Sequence, residues 1–207
     1  MQHDHIVFDI DGTLIDTENA ILKTWQYTLN TYGFMYSLKN LRITLGIPTQ
    51  NALELLDASV DQYFEDTWIQ NYSKFAKQAT YFPGVKSQLQ DMRKKGLHLG
   101  IVTSRRRTEY ECYFHKFNLR QLFDLIICAD DTTQHKPDPA PLLYYAKKAG
   151  APPASCIYIG DMPTDLVCAA AAGFASGLVT WNHSSVSEPA ADYIFSSSKE
   201  LLQLYDL

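Results

Sequence analysis

Six short apolar runs, each followed by a helical stretch or a turn, constrain the fold of this chain more than any other feature. They lie at His5 to Asp9, Leu97 to Thr103, Leu125 to Ala129, Cys156 to Gly160, Gly177 to Trp181 and Tyr193 to Phe195. Strands of a parallel sheet are covered by helices on both faces, so they read as continuous apolar runs without alternation. Between them the pattern predicts helices over about Arg105 to Phe117, Pro139 to Ala149 and Pro163 to Ala172, with Gly150 and Gly173 as stops. This order predicts an α/β fold, a doubly wound (Rossmann-like) parallel sheet. In such sheets ligands gather at the carboxyl ends of the strands, where the loops carrying Asp9, Thr103, Lys136 and Asp161 should meet.

The strand pattern stops between Asp16 and Pro83. Ile21, Trp25 and Leu29 recur at four-residue spacing, and Phe64, Trp68, Tyr72, Phe75 and Ala79 form a second stripe at spacings of four and three. Both stripes read as helix faces packed in a core. The chain is therefore expected to hold an α/β core from 1–15 and 83–207, with an all-helical cap inserted at 16–82. The hinges fall at Asp16 to Thr17 and Phe82 to Gly84, and "LGIPTQ" joins the helical pieces.

Of the 207 residues, 46% are apolar, enough to bury a core. No apolar run approaches the roughly 20 residues that span a bilayer, and the charged start "MQHDH" is no signal-peptide n-region. A soluble cytoplasmic protein is expected. Cys112, Cys128, Cys156 and Cys168 lack CxxC spacing and read as free thiols. A net charge of −5 argues against nonspecific nucleic-acid binding, and "RRR" at 105–107 is too short for a nucleic-acid patch. Any anion site must be locally positive. Oligomeric state is not legible.

The first run ends in paired acids, "HIVFDIDGTLIDT". If the strand ran on, Asp9 and Asp11 would share a face and their repulsion would need compensation. An Asp-Gly turn is the plain alternative. Three further strand ends carry polar groups: "IVTSR" at 101–105, "HKPDP" at 135–139 and "GDMPTD" at 160–165. Each has a structural reading of its own: Thr103 and Ser104 as a helix cap, Lys136 as a solvated loop residue, Asp161 or Asp165 as first-turn acids. Together, in order and each after a strand, they resemble the four motifs of the haloacid dehalogenase superfamily of phosphohydrolases, most closely its phosphoglycolate phosphatase-like group. Members with a helical cap insert it between the first and second motifs, and Asp11 and Thr103 lie 92 positions apart.

The resemblance implies a phosphatase that transfers the phosphoryl group of a small phosphorylated metabolite to Asp9 and then to water. Such chemistry is catalysed mainly by positioning and by neutralising charge on the phosphoryl oxygens. It implies Mg²⁺ held by the Asp9 carboxylate, the Asp11 backbone carbonyl and the Asp161 carboxylate, with Asp165 holding a metal-bound water or orienting Lys136. Asp11 would be the general acid and base, its pKa raised by burial. Gly12 would let the chain turn beside the phosphate, and Thr13 would serve the turn or support Asp9. Thr103 and the Ser104 amide would bind the phosphate, and Lys136 would supply positive charge, its backbone held extended by Pro137. Arg105 would reach a second anionic group or lie solvated on the surface. The dehalogenase and phosphonate-cleaving branches lack an acid at the position of Asp11, so a phosphate-ester enzyme is expected. The alternatives are a β-phosphoglucomutase-like phosphomutase, a phospho-signalling receiver domain and a non-catalytic phosphate-binding protein. The mutase has an arginine in its cap loop where Thr49 stands, and Arg42 is the one cap arginine that could compensate.

Overall fold

The computed structural model describes residues 3–45, 49–182 and 190–205. They divide into two compact units: the chain up to Asp16 together with everything from Tyr81 onward, and Thr17–Thr80. In chain order the first unit opens with β1 (His5–Phe8) and the short β2 (Ile15–Asp16). The second unit follows, with α1 (Glu18–Thr31), α2 (Leu38–Leu41), α3 (Thr49–Leu55) and α4 (Phe64–Phe75). From Tyr81, the second residue of β3 (Thr80–Tyr81), the first unit continues through α5 (Val85–Lys94), β4 (His98–Val102), α6 (Arg107–Phe114) and β5 (Leu125–Ile127). It closes with α7 (Ala140–Ala149), β6 (Cys156–Gly160), α8 (Pro163–Ala172), β7 (Ala175–Val179) and β8 (Tyr193–Phe195).

The main sheet has the order β5-β4-β1-β6-β7-β8, and every neighbouring pair is parallel. It is the doubly wound α/β sheet expected from the apolar runs. The strand order reverses beside β1, which lies between β4 and β6, so the carboxyl end of β1 sits at the topological switch point. Phe8 pairs level with Ile101 on one side and with Ile159 on the other. The residues that follow these three strands therefore emerge together. Under one face, Val7, Val102 and Tyr158 pack with Leu142 and Tyr145 of α7 and with Cys168 and Ala169 of α8. Gly150 and Gly173 end α7 and α8 in left-handed conformations, φ 66° and 74°, as their stop positions require.

α6 and β7 differ from expectation at both ends. α6 begins at Arg107, two residues late, because Arg106 is extended and its N–H is taken by the Glu109 side chain at 2.9 Å. It ends at Phe114 and tightens into a 3₁₀ turn over His115–Phe117, with Asn118 left-handed at φ 51°. β7 begins at Ala175, before Gly177, and stops at Val179. A Cβ on Gly177 would stand 2.9 Å from the Phe195 ring and 3.0 Å from Ile159, so this glycine lies inside a strand where neighbours close in.

In the second unit the two stripes are core faces. Trp25 and Leu29 of α1 and Phe64 of α4 are buried in one cluster with Leu41, Leu53 and Leu56. The Trp25 and Phe64 rings lie 5.5 Å apart, and Asn71 Nδ2 donates to Thr28 Oγ1 at 3.1 Å. Of the cap loop "LGIPTQ", 46–48 lie outside the described residues. All four cysteines are free, three of them buried. Among the described residues no helix is long and apolar enough to cross a membrane.

Candidate active site

β1 stops at Phe8, but the ladder carries one residue further: the Asp9 N–H donates to Ile159 O at 2.9 Å. The chain then turns tightly, with Leu14 and Ile15 both donating to Ile10 O and Gly12 at φ 75°. Gly12 has a second reason to be glycine. A Cβ there would fall 2.3 Å from Asp161 Oδ2. The turn thus brings the backbone of the first motif against the carboxylate of the fourth.

Asp9, Asp161 and Asp165 are all buried, and each offers a carboxylate oxygen within 4.8 Å of those of the other two. Lys136 joins them. Its Nζ donates to Asp9 Oδ1 at 2.9 Å, to Asp165 Oδ1 at 2.7 Å and to the Tyr158 hydroxyl at 2.9 Å. Tyr158 in turn donates to Val102 O at 2.8 Å. Far from solvated, the lysine side chain is 7% exposed. The Lys136–Pro137 peptide is cis.

One ammonium does not balance three carboxylates. Burial, then the charges of Asp165 and Asp11, push the Asp9 carboxyl up to about 7 against the pull of Lys136. Burial followed by the charges of Asp165 and Asp9 raises Asp161 well above the carboxylate range. Burial opposes the charge on Lys136, yet Asp165 and Asp9 outweigh it and hold its pKa above the usual lysine value. Three close oxygen donors that cannot all ionise comfortably fit a hard divalent cation, which would remove the repulsion. Of the two roles open to Asp165, contact with Lys136 is realised: its other oxygen accepts the Met162 N–H at 3.0 Å, which fixes the carboxylate.

Asp11 has a cation of its own. Arg105 Nε and a terminal nitrogen donate to its two oxygens, both at 3.0 Å, and another nitrogen donates to Glu109 Oε1 at 3.2 Å. The Arg105 side chain is 13% exposed, so it is no solvated surface arginine; its fork holds two carboxylates. The two opening acids are thus compensated by separate cations, Lys136 for Asp9 and Arg105 for Asp11.

Thr103 is buried, and its Oγ1 accepts the Arg105 N–H at 3.2 Å, which leaves the hydroxyl proton free of that bond. Ser104 is exposed and lies in the turn before α6 rather than in its first turn. The Thr13 hydroxyl, read from sequence as a turn group or a support for Asp9, reaches Asp161 Oδ1 at 3.4 Å. Four side chains escaped the sequence reading: Tyr158 on Lys136, Glu109 on Arg105, Trp181 on Thr13 O and Asn182 on Asp161. Glu109 was signalled by its i,i+4 spacing from Arg105; Tyr158 looked like one more strand residue.

A cleft of about 610 Å³ within the second unit is lined by Glu54, Asp57, Asp61 and Glu65 and holds none of these groups. Its charge does not suit an anion. In the same unit Arg42 pairs with Glu18 through two nitrogens, at 2.5 and 3.2 Å.

A parallel sheet with buried aspartates and a lysine gathered at its switch point defines an α/β enzyme site built for charge neutralisation. The family model described as haloacid dehalogenase-like hydrolase matches residues 6–179, and the chain belongs to that family. The pyrophosphatase PpaX of Oceanobacillus iheyensis is 27% identical over 205 residues, covering 96% of this chain and 95% of that protein. A crystal structure from Lactobacillus plantarum, provisionally described as a phosphoglycolate phosphatase, is 29% identical. It covers 99% of this chain and 100% of its own, with a TM-score of 0.91. A Thermotoga maritima structure provisionally described as a β-phosphoglucomutase shares the fold at 21% identity, covering 98% of each chain, with a TM-score of 0.79.

Proposed function

We propose that this protein is a Mg²⁺-dependent phosphatase that hydrolyses a small phosphorylated substrate through an aspartyl-phosphate on Asp9. The observation that carries the reading is the cluster of Asp9, Asp161, Asp165 and Lys136, buried at the carboxyl end of β1 in a chain of this hydrolase family. Asp9, Asp161 and the Asp11 backbone carbonyl would hold the metal, with Asp165 beside them. The bound ion would neutralise charge on the phosphoryl oxygens. Asp9 attacks phosphorus, and the bond from phosphorus to the leaving oxygen breaks. Asp11 gives that oxygen a proton, then takes one from the water that frees Asp9. For this sequence Asp11 must leave the Arg105 fork and take up a proton from solvent, because in the fork both its oxygens accept from the guanidinium. Thr103 and the Ser104 amide donate to the phosphoryl oxygens, and Lys136 orders Asp9 through its own contact.

The names of the relatives favour pyrophosphate and phosphoglycolate as the first substrates to test, ahead of sugar and nucleotide phosphates. The inserted helical unit would select among them. Hydrolysis is preferred over phosphomutase chemistry because Thr49 offers no cation for a distal phosphate, and Arg42 is engaged with Glu18. The test is a panel of these substrates with Mg²⁺ and with EDTA, plus glucose 1-phosphate primed with glucose 1,6-bisphosphate. Metal-dependent release of phosphate is expected. Full activity in EDTA, or efficient conversion to glucose 6-phosphate, would overturn the reading.

A further inference from the structure

The segment that follows β7 is tied to the site by two side chains that the proposed chemistry does not use. Trp181 Nε1 donates to Thr13 O, in the turn after β1, at 3.1 Å, and the Trp181 ring lies 6.4 Å from that of Phe82. Its neighbour Asn182 donates through Nδ2 to Asp161 Oδ2 at 2.7 Å. The same oxygen faces Gly12, where a Cβ would come within 2.3 Å of it. Asp161 Oδ2 is therefore wedged between an amide donor and a glycine backbone, while the Thr13 hydroxyl approaches Oδ1 at 3.4 Å.

Building on the metal site proposed above, we propose that Asn182 is a positioning residue for the metal: its amide fixes the plane of the Asp161 carboxylate, and Trp181 anchors the segment that delivers it. The physical reason is the crowding of Asp161. Held near Asp9 and Asp165, it gains by swinging away from them, and a carboxylate free to swing must be reordered at each binding event. A donor on one oxygen removes that freedom before the ion arrives. Outer partners of this kind change metal affinity by about 10–100-fold when lost. Thr13 alone is a poor substitute, since 3.4 Å is long for a hydroxyl-to-carboxylate bond.

The experiment is titration calorimetry of Mg²⁺ into metal-free wild type, Asn182→Ala, Asn182→Leu and Trp181→Phe, with melting temperatures in EDTA for each. Asn182→Leu keeps the approximate volume and removes the donor; Trp181→Phe keeps a ring against Phe82 and removes the indole N–H. Mg²⁺ Kd is expected to rise about tenfold or more in both Asn182 variants and by a smaller factor in Trp181→Phe. The EDTA melting temperatures should stay near that of wild type. Wild-type affinity in all three variants would overturn the proposal and leave the metal site intact. Weakened affinity matched by a drop in EDTA melting temperature would overturn it as general loss of structure. Failure of wild type to bind Mg²⁺ would overturn both the proposal and the metal reading beneath it.

Discussion

Replacing Asp9 by Asn should stabilise the metal-free protein, and increasingly so as pH rises. The Asp9 carboxyl is pushed up to about 7, first by burial and then by Asp165 and Asp11. A folded-state pKa above the unfolded value near 3.8 means that the folded form binds this proton more tightly. The contribution to stability is then greatest below pH 3.8, falls as pH rises, and is fully lost above 7. The rise from 3.8 to about 7, at about 1.36 kcal/mol for each pH unit, gives a total loss of about 4 kcal/mol. Roughly 2 kcal/mol of this has already gone at about pH 5, which leaves about 2–3 kcal/mol between about pH 5 and pH 8. Asn has the same shape and no such proton. Denaturant unfolding of both proteins in EDTA should show the stability of the Asp9→Asn variant minus that of wild type growing by this amount over that range. The matching shift is roughly 5–10 °C in melting temperature. Burial lowers the pKa values of His3 and His5, whose contributions run in the opposite direction but cancel in the difference. Saturating Mg²⁺ should shrink or reverse the gain, because the ion favours ionised Asp9. A difference that is flat or falling with pH in EDTA would refute the claim that this carboxylate is strained by its neighbours.

Gly12→Ala must force a Cβ into Asp161 from a backbone at φ 75°, so it should cost about 1–3 kcal/mol and raise the Mg²⁺ Kd at least about tenfold by calorimetry; unchanged affinity would contradict the geometry. Arg105→Met leaves Asp11 and the 10%-exposed Glu109 side chain without their cation and should destabilise by about 3 kcal/mol. Glu109→Met added to Arg105→Met should restore part of that loss in a double-mutant cycle, whereas simple additivity would show that the two side chains are energetically independent.

The α/β sheet, the helical stripes and the order of the polar strand ends were legible in the sequence because each is a local pattern. A buried strand is a run of apolar residues, a helix face recurs every three or four positions, and Gly150 and Gly173 mark where helices stop. The pairing of charges was not local. Asp9 meets a cation 127 positions away, Asp11 one 94 positions away, and Thr13 an acid 148 positions away. Arg105 had the same sequence as a solvated arginine or a substrate ligand; the turn after β4 put it within reach of Asp11 and Glu109. Tyr158 and Asn182 carried no motif at all: Asn182 reaches Asp161 because β6 and β7 lie next to each other in the sheet, and Tyr158 meets Lys136 and Val102 O across the fold. The sequence by itself determined which chemical groups emerge at the strand ends. Only the tertiary structure decided which acid each cation neutralises, because that choice depends on distances set by strand order and register.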